Sequence, residues 1–203
     1  MAKLLYQGHG SYRITTDAGA VVYVDPFAGD GYDLPADLVI VTHEHGDHNR
    51  IDLVPQKEGC VILRAADLLQ NGVYRAAEAA GVRVQAVEAY NQNHPKDACI
   101  GFLLDTDGVR IYGAGDTSAT QAMQTQLPAE KIDYALLPCD GYYNMGPEEA
   151  AACARLIGAK HAIPIHSSPT GVADPWLLWD EKAAERFDAP GRLLVRDGEE
   201  ITL

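Results

Sequence analysis

The segment Val39-Ile40-Val41-Thr42-His43-Glu44-His45-Gly46-Asp47-His48 constrains this chain more than any other. Its apolar, β-branched start reads as a strand ending at Thr42. Three imidazoles and two carboxylates follow within the next six residues. Alternate side chains of an extended segment share a side, so His43 and His45 can converge on one ion. Gly46 allows a sharp turn, and Asp47 and His48 can then point at a second ion. Neutral imidazole and carboxylate suit Zn²⁺, Mn²⁺ or Fe²⁺. A merely solvated loop has no use for four potential ligands in six positions.

The first half reads as short strands at Leu4–Gln7, Tyr12–Thr15, Val21–Val24, Leu38–Thr42 and Val61–Leu63, bounded by Gly, Asp and Pro. Ala76–Ala80 reads as helical, closed by Gly81. Strands return at Val82–Val87, Ile100–Asp105 and Val109–Tyr112, the last two joined by a turn at Asp105-Thr106-Asp107-Gly108. A helix is expected after Thr117, a strand at Tyr134–Leu137, and a helix opened by Pro147-Glu148-Glu149 and running to Leu156. A strand at His161–Ile165, a helix around Trp176–Arg186 and strands at Arg192–Val195 and Glu200–Leu203 complete the reading. Two strand-rich halves with helices outside them suggest an α/β chain of two face-to-face sheets between helical layers. No linker, repeat or low-complexity tract divides it, so residues 1–203 read as a single domain.

Three further groups stand beside strand-like runs. His94 follows Val82–Val87, Asp116 follows Val109–Tyr112, and His166 follows Ile163–Ile165. Strand ends can bring such distant residues to one edge of paired sheets.

The His-x-His-x-Asp-His pattern resembles that of the metallo-β-lactamase superfamily. Gly8-His9-Gly10, Val24-Asp25-Pro26, Asn93-His94-Pro95, Gly115-Asp116-Thr117 and Pro164-Ile165-His166 extend the resemblance over nearly the whole chain. It looks most like the branch that includes ascorbate-6-phosphate lactonase and related metal-dependent hydrolases. The resemblance implies a four-layer αββα sandwich of two mixed sheets. It assigns His43, His45 and His94 to a first divalent ion, and Asp47, His48 and His166 to a second. Asp116 bridges the two ions, expected as zinc with manganese or iron as alternatives. It also implies a pocket or supporting role for His9, which with Asp47 and Asp116 makes up the expected catalytic group. Asp25 before Pro26 reads either as an acceptor that orients a ligand imidazole or as a turn residue.

Other residues read more plainly. His161 opens a strand and is expected to be structural. Glu44 lies between two ligands and points the other way along the strand. Trp176 and Trp179 stand at helical i,i+3 spacing, expected as core packing. The loops Asp140–Met145 and Ser167–Pro169 are expected to line a pocket. Cys60, Cys99, Cys139 and Cys153 show no paired spacing and read as reduced thiols.

A net charge of −13 repels phosphate backbones and argues against nucleic-acid binding. No apolar run reaches the roughly 20 residues of a membrane span, and the N-terminus lacks a signal peptide's apolar core. The expectation is a cytoplasmic protein acting on a small molecule, which could be anionic, with self-association left open. Two ions about 3.5–4 Å apart lower the pKa of a shared water. The expected reaction is attack of a metal-bound hydroxide on an ester, lactone or phosphodiester. Two alternatives stay open: an iron-dependent oxidoreductase resembling the sulfur dioxygenases, and a catalytically silent metal-binding module. Fold and family do not fix the substrate.

Overall fold

The computed structural model describes residues 1–169, 172, 174 and 176–203. The chain begins β1 (Lys3–Gly8), β2 (Ser11–Thr15), β3 (Val21–Val24), β4 (Ala36–Val41) and β5 (Gln56–Arg64). A short helix α1 (Ala65–Leu68) and a small ribbon, β6 (Leu69–Gln70) and β7 (Val73–Tyr74), lead to β8 (Ala76–Ala79) and β9 (Val82–Glu88). Then come β10 (Ile100–Thr106), β11 (Val109–Gly113), α2 (Gln121–Thr125), β12 (Tyr134–Pro138), α3 (Pro147–Ile157) and β13 (His161–Ile165). The chain closes with α4 (Glu181–Glu185) and β14 (Glu200–Thr202).

These strands form two six-stranded mixed sheets, ordered β14-β1-β2-β3-β4-β5 and β8-β9-β10-β11-β12-β13. Read in those orders, the two sheets have the same pairing pattern. Three antiparallel pairings are followed by two parallel ones. A sequence with no visible repeat thus builds two sheets of one design.

Period-two alternation explains the layers. Val22, Val24, Leu38 and Ile40 of the first sheet meet Ile100, Phe102, Leu104, Ile111 and Leu136 of the second in a shared core. Their neighbours Leu103, Tyr112, Ala135 and Leu137 face the other way, against Met123 of α2 and Ala150, Ala154 and Ile157 of α3. Each fully buried Leu, Ile or Phe of this kind contributes about 1.5–3 kcal/mol. Pro147 opens α3, Glu148 and Glu149 occupy its first turn, and Gly158 ends it in the left-handed conformation. On the outer face of the first sheet, Tyr23, Val39 and Val41 are covered by Val54, Ile51 and Tyr32. The layered sandwich expected of the sequence is present, with this outer cover thin. Among the described residues no helix is long and apolar enough to cross a membrane.

Three expected elements differ. Ala76–Ala79 is a strand, not a helix. Ala80 and Gly81 both have positive φ, 52° and 76°, and make a two-residue hairpin turn that pairs Ala79 with Val82. Cross-strand pairing overrides the helical preference of alanine and glutamate. The expected helix around Trp176–Arg186 is confined to α4, which starts where the Asp180 carboxylate accepts the Ala183 N–H at 2.7 Å. Arg192–Val195 makes only an isolated bridge from Arg192 to Ala162. Val195 is nevertheless buried in the core between the sheets.

Candidate metal centre

Seven loops, all at strand ends, deliver the site. The β1–β2 hairpin carries His9, and the exits of β3 and β4 carry Asp25 and the His43–His48 run. The β9–β10 loop carries His94, and the exits of β11, β12 and β13 carry Asp116, Asp140 and His166. His9, Asp25 and His166 all have positive φ, 54°, 44° and 49°. Non-glycine residues in that region are sparse and gather at functional sites. The chain turns abruptly at all three, and His166 N–H donates to the His9 carbonyl at 2.7 Å.

All seven expected ligands come together. The ligand atoms of His43, His45 and His94 lie within 4.8 Å of one another, and so do those of His9, Asp47, His48 and His166. Asp116 stands between the two groups. Its Oδ1 is 3.4 Å from His48 Nε2, and its Oδ2 is 3.4 Å from His94 Nε2 and 3.5 Å from His166 Nε2. His9 enters the second group more intimately than a pocket edge requires. Its Nε2 is 3.1 Å from Asp47 Oδ2, and its ring centroid is 3.6 Å from that of His166. Gly10 is needed here because a Cβ on it would stand 2.7 Å from His48 Cε1.

The outer nitrogen of four imidazoles is anchored. His94 Nδ1 is 2.8 Å from Asn91 Oδ1. His48 Nδ1 is 3.1 Å from Asp25 Oδ2, and His166 Nδ1 is 3.3 Å from Asp140 Oδ2. His43 Nδ1 is 3.0 Å from Thr42 Oγ1, whose own proton goes to Asp25 Oδ2 at 2.6 Å. Every one of these partners accepts, so each Nδ1 carries a proton and Nε2 is the nitrogen left to ligate when the ring is neutral. The Nε2 atoms of His43, His48 and His166 are buried without a hydrogen-bond partner. Buried polar atoms are seldom left so, and three converging lone pairs beside two carboxylates suit a divalent cation of the zinc type.

The charges agree with that fit. Burial pushes the His43 imidazole down to about 2, with neighbouring His48 adding to the effect, so the ring is neutral and able to ligate. Burial likewise takes His9 down to about 4, helped by His166. Burial opposes the charge on His48, but Asp116 and Asp25 outweigh it and hold that pKa well above the ordinary value. Burial also opposes the charge on Asp116, and the His48 and His166 charges overcome it to hold the carboxyl well below its usual range. The carboxylates that retain a proton on His48 equally favour a metal cation in its place.

The remaining candidates fall outside the centre. Glu44 is exposed and pairs with Arg64 at 2.6 Å. His161 stacks on Tyr134, centroids 5.0 Å apart, within β13. All four cysteines are free. Cys139, at the end of β12, is buried and its Sγ contacts the Ile165 carbonyl rather than the centre. Trp176 and Trp179 do not form the expected core pair. Trp179 packs edge-on against Tyr6, whereas Trp176 is 71% exposed. Trp176 lines a cleft of about 510 Å³ beside His45, Asp47, His94 and Asp116. Asn91 and Asp140 are the supporting residues that sequence reasoning missed or left unassigned. Their one signal is position: three residues before a candidate ligand, and two residues after a buried strand.

Residues 3–166 match the family model described as the beta-lactamase superfamily domain. A UPF0173 metal-dependent hydrolase of Nitratidesulfovibrio vulgaris is 32% identical over 192 residues, covering 81% of this chain and 79% of that protein. Another, of Thermococcus onnurineus, is 32% identical over 227 residues, covering 96% and 99%. A solved structure from Parabacteroides distasonis superposes with a TM-score of 0.74 at 27% identity, covering 95% of this chain and 91% of that one. A metallo hydrolase from Ignicoccus hospitalis shares the fold at a TM-score of 0.74 and 24% identity, covering 98% and 97%.

Proposed function

The chain belongs to the beta-lactamase superfamily domain family, and from that premise we propose that it is a metal-dependent hydrolase of a small-molecule ester, lactone or phosphodiester. The observation that carries this reading is the set of three buried Nε2 atoms without a hydrogen bond, those of His48 and His166 being 3.4 and 3.5 Å from Asp116, beside an open cleft. The same words, metal-dependent hydrolase, describe the relatives from Nitratidesulfovibrio vulgaris and Thermococcus onnurineus.

In this reading His43, His45 and His94 hold one divalent ion, Asp47, His48 and His166 hold another, and Asp116 is shared. When bound, such a pair supplies Lewis acidity and a water ionised near neutral pH. The side chains do the rest. Asn91, Asp25, Asp140 and Thr42 keep the imidazoles turned inward. Asp47 lines the cleft and would accept a hydrogen bond that orients the attacking water. Burial raises the Asp47 pKa, but the His9 hydrogen bond and the His48 charge outweigh it and keep the carboxylate ionised. His9, buried behind Asp47, is the positioning residue for that carboxylate. No nucleophilic side chain is called for.

The test is an assay panel on metal-stripped protein reloaded with zinc, manganese or iron. Its substrates are 4-nitrophenyl acetate, a δ-lactone and bis(4-nitrophenyl) phosphate. At least one should be hydrolysed by the reloaded chain. Asp116→Asn, which keeps the shape and removes the shared charge, should lower that rate by about 10²-fold or more. Oxygen consumption by the iron form with no hydrolysis in any form would replace this reading with the oxidoreductase one. No turnover of any kind would leave a metal-binding module.

A further inference from the structure

Resting on that hydrolase reading, we propose that the cleft takes a substrate with a flat, apolar ring next to the reacting bond, not one with a further phosphate or other anionic group there. Three aromatic side chains from three separate loops line it: Phe27 beyond β3, Tyr143 beyond β12 and Trp176 beyond β13. The Phe27 and Trp176 rings lie 5.2 Å apart between centroids, tilted by 34°. Phe27 is buried and so gives Trp176 a fixed backing, while Trp176 itself and Tyr143 stay open at 71% and 41% exposure. Large aromatic groups left open around one concave site mark a place where apolar ligand surface is covered.

The wall is held in the same frame as the metal ligands. The Tyr143 carbonyl accepts from Asn91 Nδ2 at 2.9 Å and from Asn93 Nδ2 at 3.2 Å. Its N–H donates to Asp140 Oδ1 at 2.6 Å. Asn91 and Asp140 are the residues that anchor His94 and His166. One hydrogen-bonded belt therefore sets both the inward nitrogens and the backbone that carries the Tyr143 ring, so little backbone order is left to be imposed when a ligand binds.

Charge argues against a polyanion. Among the described residues Arg50 is the one lysine or arginine lining the cleft, and its Nε and Nη2 both donate to Asp52 at 2.9 Å. A phosphate group lying away from the metal site is ordinarily met by free guanidinium forks or a helix N-terminus. The small cavity next to the cleft instead carries Asp47, Asp140 and Asp174, on a chain of net charge −13.

The test uses the full zinc-loaded chain and three hydroxamates with one metal-chelating head, titrated calorimetrically. Acetohydroxamate carries a methyl group, phenylacetohydroxamate a ring, and succinic monohydroxamate a carboxylate in the ring's direction. Phenylacetohydroxamate should bind at least about tenfold tighter than acetohydroxamate, or about 1.4 kcal/mol. Succinic monohydroxamate should bind no tighter than acetohydroxamate. In Trp176→Ala and in Tyr143→Ala, both exposed positions, the phenyl advantage should shrink to under about threefold with metal content kept. Equal affinities for the methyl and phenyl probes overturn the proposal. So does tighter binding of the carboxylate probe, or a phenyl advantage that survives intact in both variants. A loaded chain that hydrolyses nothing yet keeps the phenyl advantage would refute the hydrolase reading while upholding the ring site.

Discussion

His94 and His161 carry the same side chain into opposite surroundings. His94 sits with Asn91 on its outer nitrogen and His43, His45 and Asp116 around its inner one. His161 stacks on Tyr134 inside a parallel strand pair. If His94 is a ligand, as proposed, its removal takes a donor from one ion and leaves Asp116 and two imidazoles facing an incomplete shell. His94→Ala should therefore lose metal and reduce turnover by orders of magnitude. His161→Ala should keep its metal and lose about 1 kcal/mol of stability. Elemental analysis of the two variants with their unfolding curves checks this. If His161→Ala loses metal and His94→Ala keeps it, the assignment of the middle and last motifs is wrong.

At the scale of elements, the loop after β12 has its own keystone. Asp140 Oδ1 accepts the N–H groups of Tyr142, Tyr143 and Asn144 at 2.8, 2.6 and 3.2 Å, and its Oδ2 accepts from Asn144 Nδ2 at 2.9 Å. Hydrogen bonds to a charged acceptor are worth about 1.5–3 kcal/mol each, and donors left unmade in a buried place cost as much again. Asp140→Ala should lower stability by roughly 2–4 kcal/mol and weaken metal binding through His166. Thermal unfolding of the metal-free variant beside a metal titration checks both parts. An unchanged melting temperature would show that the loop holds itself.

The elements also show what was legible beforehand. The alternating strands were, because Val22, Val24, Leu38 and Ile40 must share one face and their neighbours the other. The gathering of the seven candidate ligands was, because a strand ending in His-x-His-x-Asp-His has few other uses. Ala76–Ala79 is not legible, because alanine and glutamate prefer helix and only the partner strand at Val82 decides otherwise. The Trp176 and Trp179 spacing looked helical, but the helix starts only after Asp180. Asn91 and Asp140 are of residue types common in ordinary loops. Their work depends on a fold that turns their oxygens toward His94 and His166.

Over the whole molecule, two sheets of one pairing pattern lay their ligand-bearing loops along a common edge. Neither sheet holds a complete site. The first supplies His43, His45, Asp47 and His48, and the second supplies His94, Asp116 and His166. Metal bound as proposed would join the two halves and favour the folded chain by mass action. The central claim is that these seven side chains hold two divalent ions at once. The direct measurement is equilibrium titration of the metal-stripped, folded chain with zinc, followed by dialysis and elemental analysis. Saturation is expected at two equivalents per chain, falling toward one in Asp47→Ala combined with His166→Ala. Saturation at a single equivalent under excess zinc, with the protein still folded, would contradict it.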